Sequence, residues 1–272
     1  MRFTLCSAAA ALAFGSLGAA VNPTVVIVPG AWQIDPSWTG FMQKLTGAGY
    51  DTKKVTLPSV GMSLTGLDED VAATAAIVDP LLDAGKDVVL LSHSLGGLIA
   101  GNAVQGRDYA SRQAAGKKGG VIQTIYLAAF MCPEGASLKD LMGGTFFPWM
   151  IAEDGKVTGD PAQIKEIGFN DLSAAEADKW AAAMTWTSEK VFTDASKFAP
   201  WTAAPTITEA YIHTEDDNAL PFAVQQQMQA MLPAGSAVFS IKSSHVPFIS
   251  HPDELLPLVR SAIEAGIAAK KA

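Results

Sequence analysis

The sequence predicts an α/β fold, a mostly parallel, twisted sheet of about six strands flanked by helices. Short β-rich runs alternate along the chain with segments of helical apolar spacing. Most of the strand runs lack strict apolar–polar alternation, the mark of strands covered on both faces. With 272 residues, 49% hydrophobic and 17% charged, the chain can bury a large core without cross-links.

The first strand is expected at 24–28 and ends in Pro29-Gly30. A weaker one follows at 52–57, then strands at 87–92, 121–128, 207–213 and 237–241. Between them, Leu67, Val71, Ala75 and Val78 recur at helical spacing, with Thr65 as N-cap and Asp68 at the third helical position. Leu256, Val259, Ile263 and Ile267 form a second apolar stripe near the C-terminus. From about 133 to 205 no run reads as a strand, yet the stretch holds Trp149, Trp180, Trp186 and Trp201. It is too long for a simple loop. It is read as a mainly helical lid insertion over the carboxyl edge of the sheet, within one domain spanning 21–272.

Residues 1–20 have a basic start, an apolar Ala-rich run and small residues at Gly18 and Ala20. This pattern predicts a signal peptide and a protein that is secreted or resides in the secretory pathway. Cys6 falls inside it, which leaves Cys132 as the one thiol of the mature chain and no internal disulfide. Without a neighbouring basic group, Cys132 reads as a buried apolar residue. The net charge of −8 and the lack of a long basic run argue against a nucleic-acid partner. The N-terminal run is too short and too weakly hydrophobic for a membrane span. No zinc-type His/Cys spacing occurs, and neither a metal nor an organic cofactor is expected.

The strongest chemical signal is Ser92-His93-Ser94-Leu95-Gly96-Gly97, between an apolar strand and a helical stretch. This is a nucleophile elbow with Ser92 in place of its first glycine. A strand-to-helix turn this tight strains its central residue and needs small neighbours. Ser94 is therefore the candidate nucleophile, presented at a helix N-terminus that favours developing negative charge. Such a serine needs a base. Of the four histidines, His245 alone occupies a loop at the carboxyl end of the last strand, where open α/β sheets place their sites. His93 is expected to point away from Ser94. A carboxylate must orient the base. Glu215, Asp216 and Asp217 compete, and Asp217 is preferred because it directly precedes the Asn218-Ala219-Leu220-Pro221 turn. The order Ser94, Asp217, His245 matches this architecture. Backbone N–H groups of Ala31 and Leu95 are the expected oxyanion hole. Trp32, Phe146, Phe147, Trp149, Met184 and Trp186 are candidate pocket residues for a small apolar substrate.

These motifs resemble the α/β-hydrolase superfamily, in particular its branch of plant methylesterases and hydroxynitrile lyases. The resemblance runs from Thr24 to the C-terminal helix. It rests on Val25-Val26-Ile27-Val28-Pro29-Gly30-Ala31-Trp32, the segment 82–90, the elbow and Tyr126-Leu127-Ala128-Ala129-Phe130. The Asp217 turn and Ser244-His245-Val246-Pro247 add to it, and Phe169-Asn170-Asp171-Leu172 resembles the family's lid. The chain departs from the branch at Pro29, Ser92 and Leu95, where relatives usually carry His, Gly and an aromatic. The resemblance implies an α/β-hydrolase fold and a serine esterase acting on an ester or lactone. The branch's lyases add a Lys after the histidine and a Thr in the oxyanion loop, positions held here by Val246 and Gly30. A ligand-binding homologue of low activity and a hydroxynitrile lyase-like enzyme are the alternative readings.

Overall fold

The computed structural model describes residues 22–203 and 207–271, so the expected signal segment 1–20 lies outside the described residues. In chain order the first strands are β1 (Thr24–Val28), β2 (Thr52–Lys54), β3 (Asp87–His93) and β4 (Gly120–Leu127). Three short ones follow, β5 (Met150–Glu153), β6 (Lys156–Gly159) and β7 (Thr187–Ser188). The last are β8 (Thr208–Thr214) and β9 (Ala237–Ile241).

Six strands form one sheet in the order β2-β1-β3-β4-β8-β9, every neighbouring pair parallel. Successive side chains of the central strands face opposite sides. Val26, Val28, Leu90 and Tyr126 join one core, with Leu67, Val78 and Leu82 of the helix Leu67–Asp83 and Leu98 of the helix Gly96–Ala103. Val25, Ile27, Leu91 and Ile125 join the other, with Phe41 and Leu45 of the helix Thr39–Gly47 and Val259 and Ile263 of the helix Pro252–Lys271. This two-sided burial explains why the strand runs show no apolar–polar alternation.

Expected and observed strand bounds agree within a residue except at β2. Only its first three residues pair with β1, and the chain then turns away ahead of Pro58. The helix Leu67–Asp83 is capped by Gly66 rather than Thr65. Glu69 accepts the Gly66 N–H at 3.0 Å, and Asp194 accepts the Leu67 N–H at 2.9 Å. The segment 133–205 departs further from expectation. Besides short helices it holds an antiparallel sheet, β5-β6-β7, that a mainly helical reading left out. The turn between β5 and β6 is Asp154-Gly155, both at positive φ (50° and 72°). That dipeptide is a strong hairpin signal. Cys132 is buried, its thiol donates to the Ala136 carbonyl at 3.1 Å, and burial pushes the thiol up to about 12.

One face of the β4–β8 pair hides polar groups. Thr124 and Glu209 are register partners there, with Tyr126 two residues along. The Glu209 carboxylate and the Thr124 and Tyr126 hydroxyls have no hydrogen-bond partner among the described residues. Burial pushes Glu209 up to about 8, from 4.5, and Asp70 up to about 6, from 3.8. A carboxyl raised in the folded state favours folding fully below its unfolded value, and that contribution is lost as pH rises through the folded value. For Glu209 it is worth on the order of 4 kcal/mol between pH 4.5 and 8. The melting temperature is therefore expected to fall across that window. Glu209→Gln should flatten the slope and melt higher than wild type at pH 8. Parallel pH profiles of the two proteins in thermal scans would refute this account.

Candidate active site

The strand order reverses between β1 and β3, so the loops at their carboxyl ends diverge and open a crevice. Gly30-Ala31-Trp32 leaves β1 at this point, and Ser94 leaves β3. The Asp217 and His245 loops follow β8 and β9 on the same rim.

Ser94 sits at φ 53°, in the left-handed region, between β3 and the helix Gly96–Ala103. The turn closes only because its neighbours are small. A Cβ on Gly96 would lie 2.2 Å from the Val28 carbonyl oxygen, and one on Gly97 2.3 Å from that of Phe130. A Cβ on Gly30 would come within 2.9 Å of Ser94 Cβ. Ser92 replaces a glycine without leaving a polar atom unpaired, because its hydroxyl donates to the Ile125 carbonyl at 2.9 Å.

Asp217 is 5% exposed and surrounded by donors. Its Oδ1 accepts the N–H groups of Ala219 and Leu220, each at 2.8 Å. Its Oδ2 accepts the Thr214 hydroxyl at 2.7 Å and His245 Nδ1 at 2.7 Å, with Gln225 Nε2 at 3.3 Å. A carboxylate is acceptor-only, so the His245 proton is on Nδ1 and Nε2 is left as the free acceptor. Asp216 and Glu215 are exposed on the same loop. Ser94 and His245 line the same two cavities, although the Ser94 hydroxyl has no hydrogen-bond partner among the described residues. Such bonds commonly tighten only once substrate is present.

His93, next to Ser94, is fully buried and turned towards neither cavity. Gln33 Oε1 accepts the Gly30 N–H at 2.9 Å and the Trp38 indole N–H at 2.8 Å. This fixes the amide, so Gln33 Nε2 donates to His93 Nδ1 at 2.8 Å. His93 must then carry its proton on Nε2, which donates to the His245 carbonyl at 2.7 Å. Burial first, and then the nearby His245, hold the His93 imidazole well below its usual range. One neutral relay thus ties the loop after β1 to the backbone of His245. No local motif signals this relay, because Gln33 and His93 lie 60 residues apart in the chain.

The segment 133–205 braces the same loops. Asp171 Oδ2 accepts the Ser244 N–H at 2.7 Å, and Asn170 Nδ2 donates to the Asp216 carbonyl at 2.9 Å. Trp32, at φ 63°, donates its N–H to Thr187 Oγ1 and its indole N–H to the Val157 carbonyl, both at 2.8 Å. Val157 and Thr187 are cross-strand partners in the small sheet. Between Gly30 and Trp32, whose N–H groups are both used, the Ala31 N–H has no acceptor among the described residues. The same holds for the Leu95 N–H.

The two cavities share Ala31, Trp32, Trp149 and Ala219 besides Ser94 and His245, and span about 570 and 380 Å³ with the space open to solvent. Met184 lines the larger and Phe147 the smaller. Phe146 and Trp186, also expected in the pocket, line neither. Phe146 packs on Phe192 at 5.7 Å, with Lys139 Nζ 4.7 Å above its ring. Trp186 lies in a separate outer groove under Lys156 Nζ. Trp186 directly precedes Thr187, whose hydroxyl is turned to Trp32, and Phe147 lines the smaller cavity in place of its neighbour Phe146. Trp180 and Phe248 were not anticipated. Trp180 lies four residues before Met184, one helical turn away, and that spacing could have revealed it.

The model of the alpha/beta hydrolase family matches residues 25–258. The chain belongs to that family. It is 28% identical over 250 residues to the alpha/beta hydrolase nvfD of Aspergillus novofumigatus, covering 89% of this chain and 97% of the relative. It is 26% identical over 255 residues to methylesterase 7 of Arabidopsis thaliana, covering 86% and 92%. Among solved structures, it resembles a pyrethroid hydrolase from Sphingobium faniae JZ-2 with a TM-score of 0.69 and 22% identity, covering 89% of this chain and 98% of the other. That last likeness shows the fold alone. Among the described residues no group of three or more His, Cys, Asp or Glu side chains could hold a metal ion, and no helix is long and apolar enough to cross a membrane.

Proposed function

We propose that this protein is a serine hydrolase that cleaves a small apolar carboxylic ester or lactone. The observation that carries the reading is the imidazole of His245. Asp217 holds it through Nδ1, while its Nε2 is left free beside the cavity into which the strained Ser94 turn presents its hydroxyl. Membership of the alpha/beta hydrolase family and similarity to a methylesterase support it.

In this reading Ser94 Oγ attacks the substrate carbonyl carbon as His245 Nε2 takes its proton. The N–H groups of Ala31 and Leu95 donate to the oxyanion. The tetrahedral species collapses by breaking the bond to the alcohol oxygen, which receives the proton from His245. Water then attacks the acyl-enzyme, gives its proton to Nε2 and releases the acid, and that proton returns to Ser94. Asp217 stabilises the imidazolium in both steps.

Fluorophosphonate labelling followed by peptide mass spectrometry tests the assignment, with modification expected at Ser94. Modification elsewhere, or none in a protein that turns over esters, would remove Ser94 from the mechanism.

The brace on Trp32 gives a second test. Thr187→Val keeps the shape but strands a buried N–H, at a cost of about 1–3 kcal/mol. The strained backbone beside Ala31 then relaxes. A lower melting temperature and a fall in kcat exceeding any change in KM are expected. Wild-type kcat at reduced stability would show that Thr187 serves the fold alone.

A further inference from the structure

We propose that the substrate is an ester uncharged in both halves, with its larger, aromatic arm on the alcohol side. The proposal rests on the serine-hydrolase reading above and concerns how the two cavities divide the ester.

Neither cavity is lined by an Asp, Glu, Lys or Arg side chain. The polar side chains that reach the larger one are largely committed to protein partners. Gln33 bonds Gly30, Trp38 and His93. The Ser37 hydroxyl donates to the Ile34 carbonyl at 2.8 Å. The indole N–H groups of Trp32 and Trp180 donate to Val157 and Glu176. An arm carrying a charge would lose its hydration in such walls and gain no counter-charge. Aromatic and aliphatic groups lose nothing and bury apolar area.

The chain's path through the walls assigns the arms. The larger cavity, about 570 Å³ with the space open to solvent, is lined by Val246, Phe248 and Ile249, all within four residues after His245. The alcohol oxygen must sit before His245 Nε2 to receive its proton, so the alcohol arm extends along these residues. Phe169 and Trp180 add aromatic side chains to the lining of this cavity. The smaller cavity, about 380 Å³, is lined by Leu95, Phe130 and Leu220. Leu95 follows the nucleophile, and the Phe130 N–H donates to the Ser94 carbonyl at 3.0 Å. This is the side of the elbow, where the acyl carbon is held once the alcohol has left. A methyl ester would leave the larger cavity unfilled.

Two isomeric alkyl esters test the assignment on the wild-type chain: naphthylmethyl butanoate, with the large group on the alcohol, and propyl naphthylacetate, with it on the acid. We expect kcat/KM to favour the first by at least about tenfold. Ile249→Trp, which narrows the larger cavity, should lower that ratio, and Met142→Trp, in the smaller cavity, should raise it. A carboxylate added to either arm should lower kcat/KM by about 100-fold or more. A preference for propyl naphthylacetate, or variants that move the ratio the other way, overturns the arm assignment while Ser94 labelling by fluorophosphonate leaves the hydrolase reading standing. Failure of both isomers together with absence of labelling defeats both.

Discussion

Replacing Ser94 with alanine is expected to lower kcat for a nitrophenyl ester by about 10⁶-fold. The hydroxyl has no hydrogen-bond partner among the described residues, so its removal strands no donor or acceptor. Alanine also relieves nothing and fills nothing, since only one oxygen is lost at the cavity wall. The melting temperature should therefore stay close to wild type. Residual catalysis would come from the backbone donors and binding alone. Turnover within tenfold of wild type in a correctly folded Ser94→Ala protein would end the proposed mechanism.

The second large effect is expected at Asp217. Asp217→Asn should reduce kcat by about 10⁴-fold. The reason is donor arithmetic. The carboxylate takes N–H groups from Ala219 and Leu220 on one oxygen, and the Thr214 hydroxyl and His245 Nδ1 on the other. An asparagine must turn its NH₂ group towards one of these sets. Facing the backbone, it meets two fixed donors. Facing His245, it forces the proton onto Nε2, where the acceptor for Ser94 is needed. The loss should lie in kcat, with KM little changed, because the side chain does not line either cavity. A wild-type kcat in this variant would pass the orienting role to another acid.

What could be read from the sequence was what depends on neighbours in the chain. The strands β1 and β9 and the turn at Ser94 are local, and each announced itself through apolar runs or small residues. The Asp217 loop was favoured over its acidic neighbours because of the turn that follows it, and that turn supplies two of its five donors. The Asp154-Gly155 hairpin was equally local but was masked by the long helical reading of its surroundings. The Gln33–His93 relay could not be read, since it joins residues 60 apart and depends on the approach of β1 to β3. The fate of Phe146 against Phe147, and of Trp186 against Thr187, depended on which side of the backbone faced inward. Adjacent aromatic residues do not disclose that without the surrounding fold.

The order of strands in the sheet has a consequence for biosynthesis. Chain emerging from the ribosome can pair β3 with β1 and with β4 early, and so complete the turn at Ser94, long before the imidazole at 245 has been made. Among the described residues β9 is an edge strand that pairs with β8 alone, and the helix Pro252–Lys271 that covers it is translated afterwards. Domains generally acquire structure as they are synthesised. In the proposed mechanism, a nascent molecule thus carries a formed but powerless serine until β9 and the loop that follows it have been made. In that mechanism hydrolytic capacity arrives as a single late event, and a chain terminated before residue 245 has no partial activity to display.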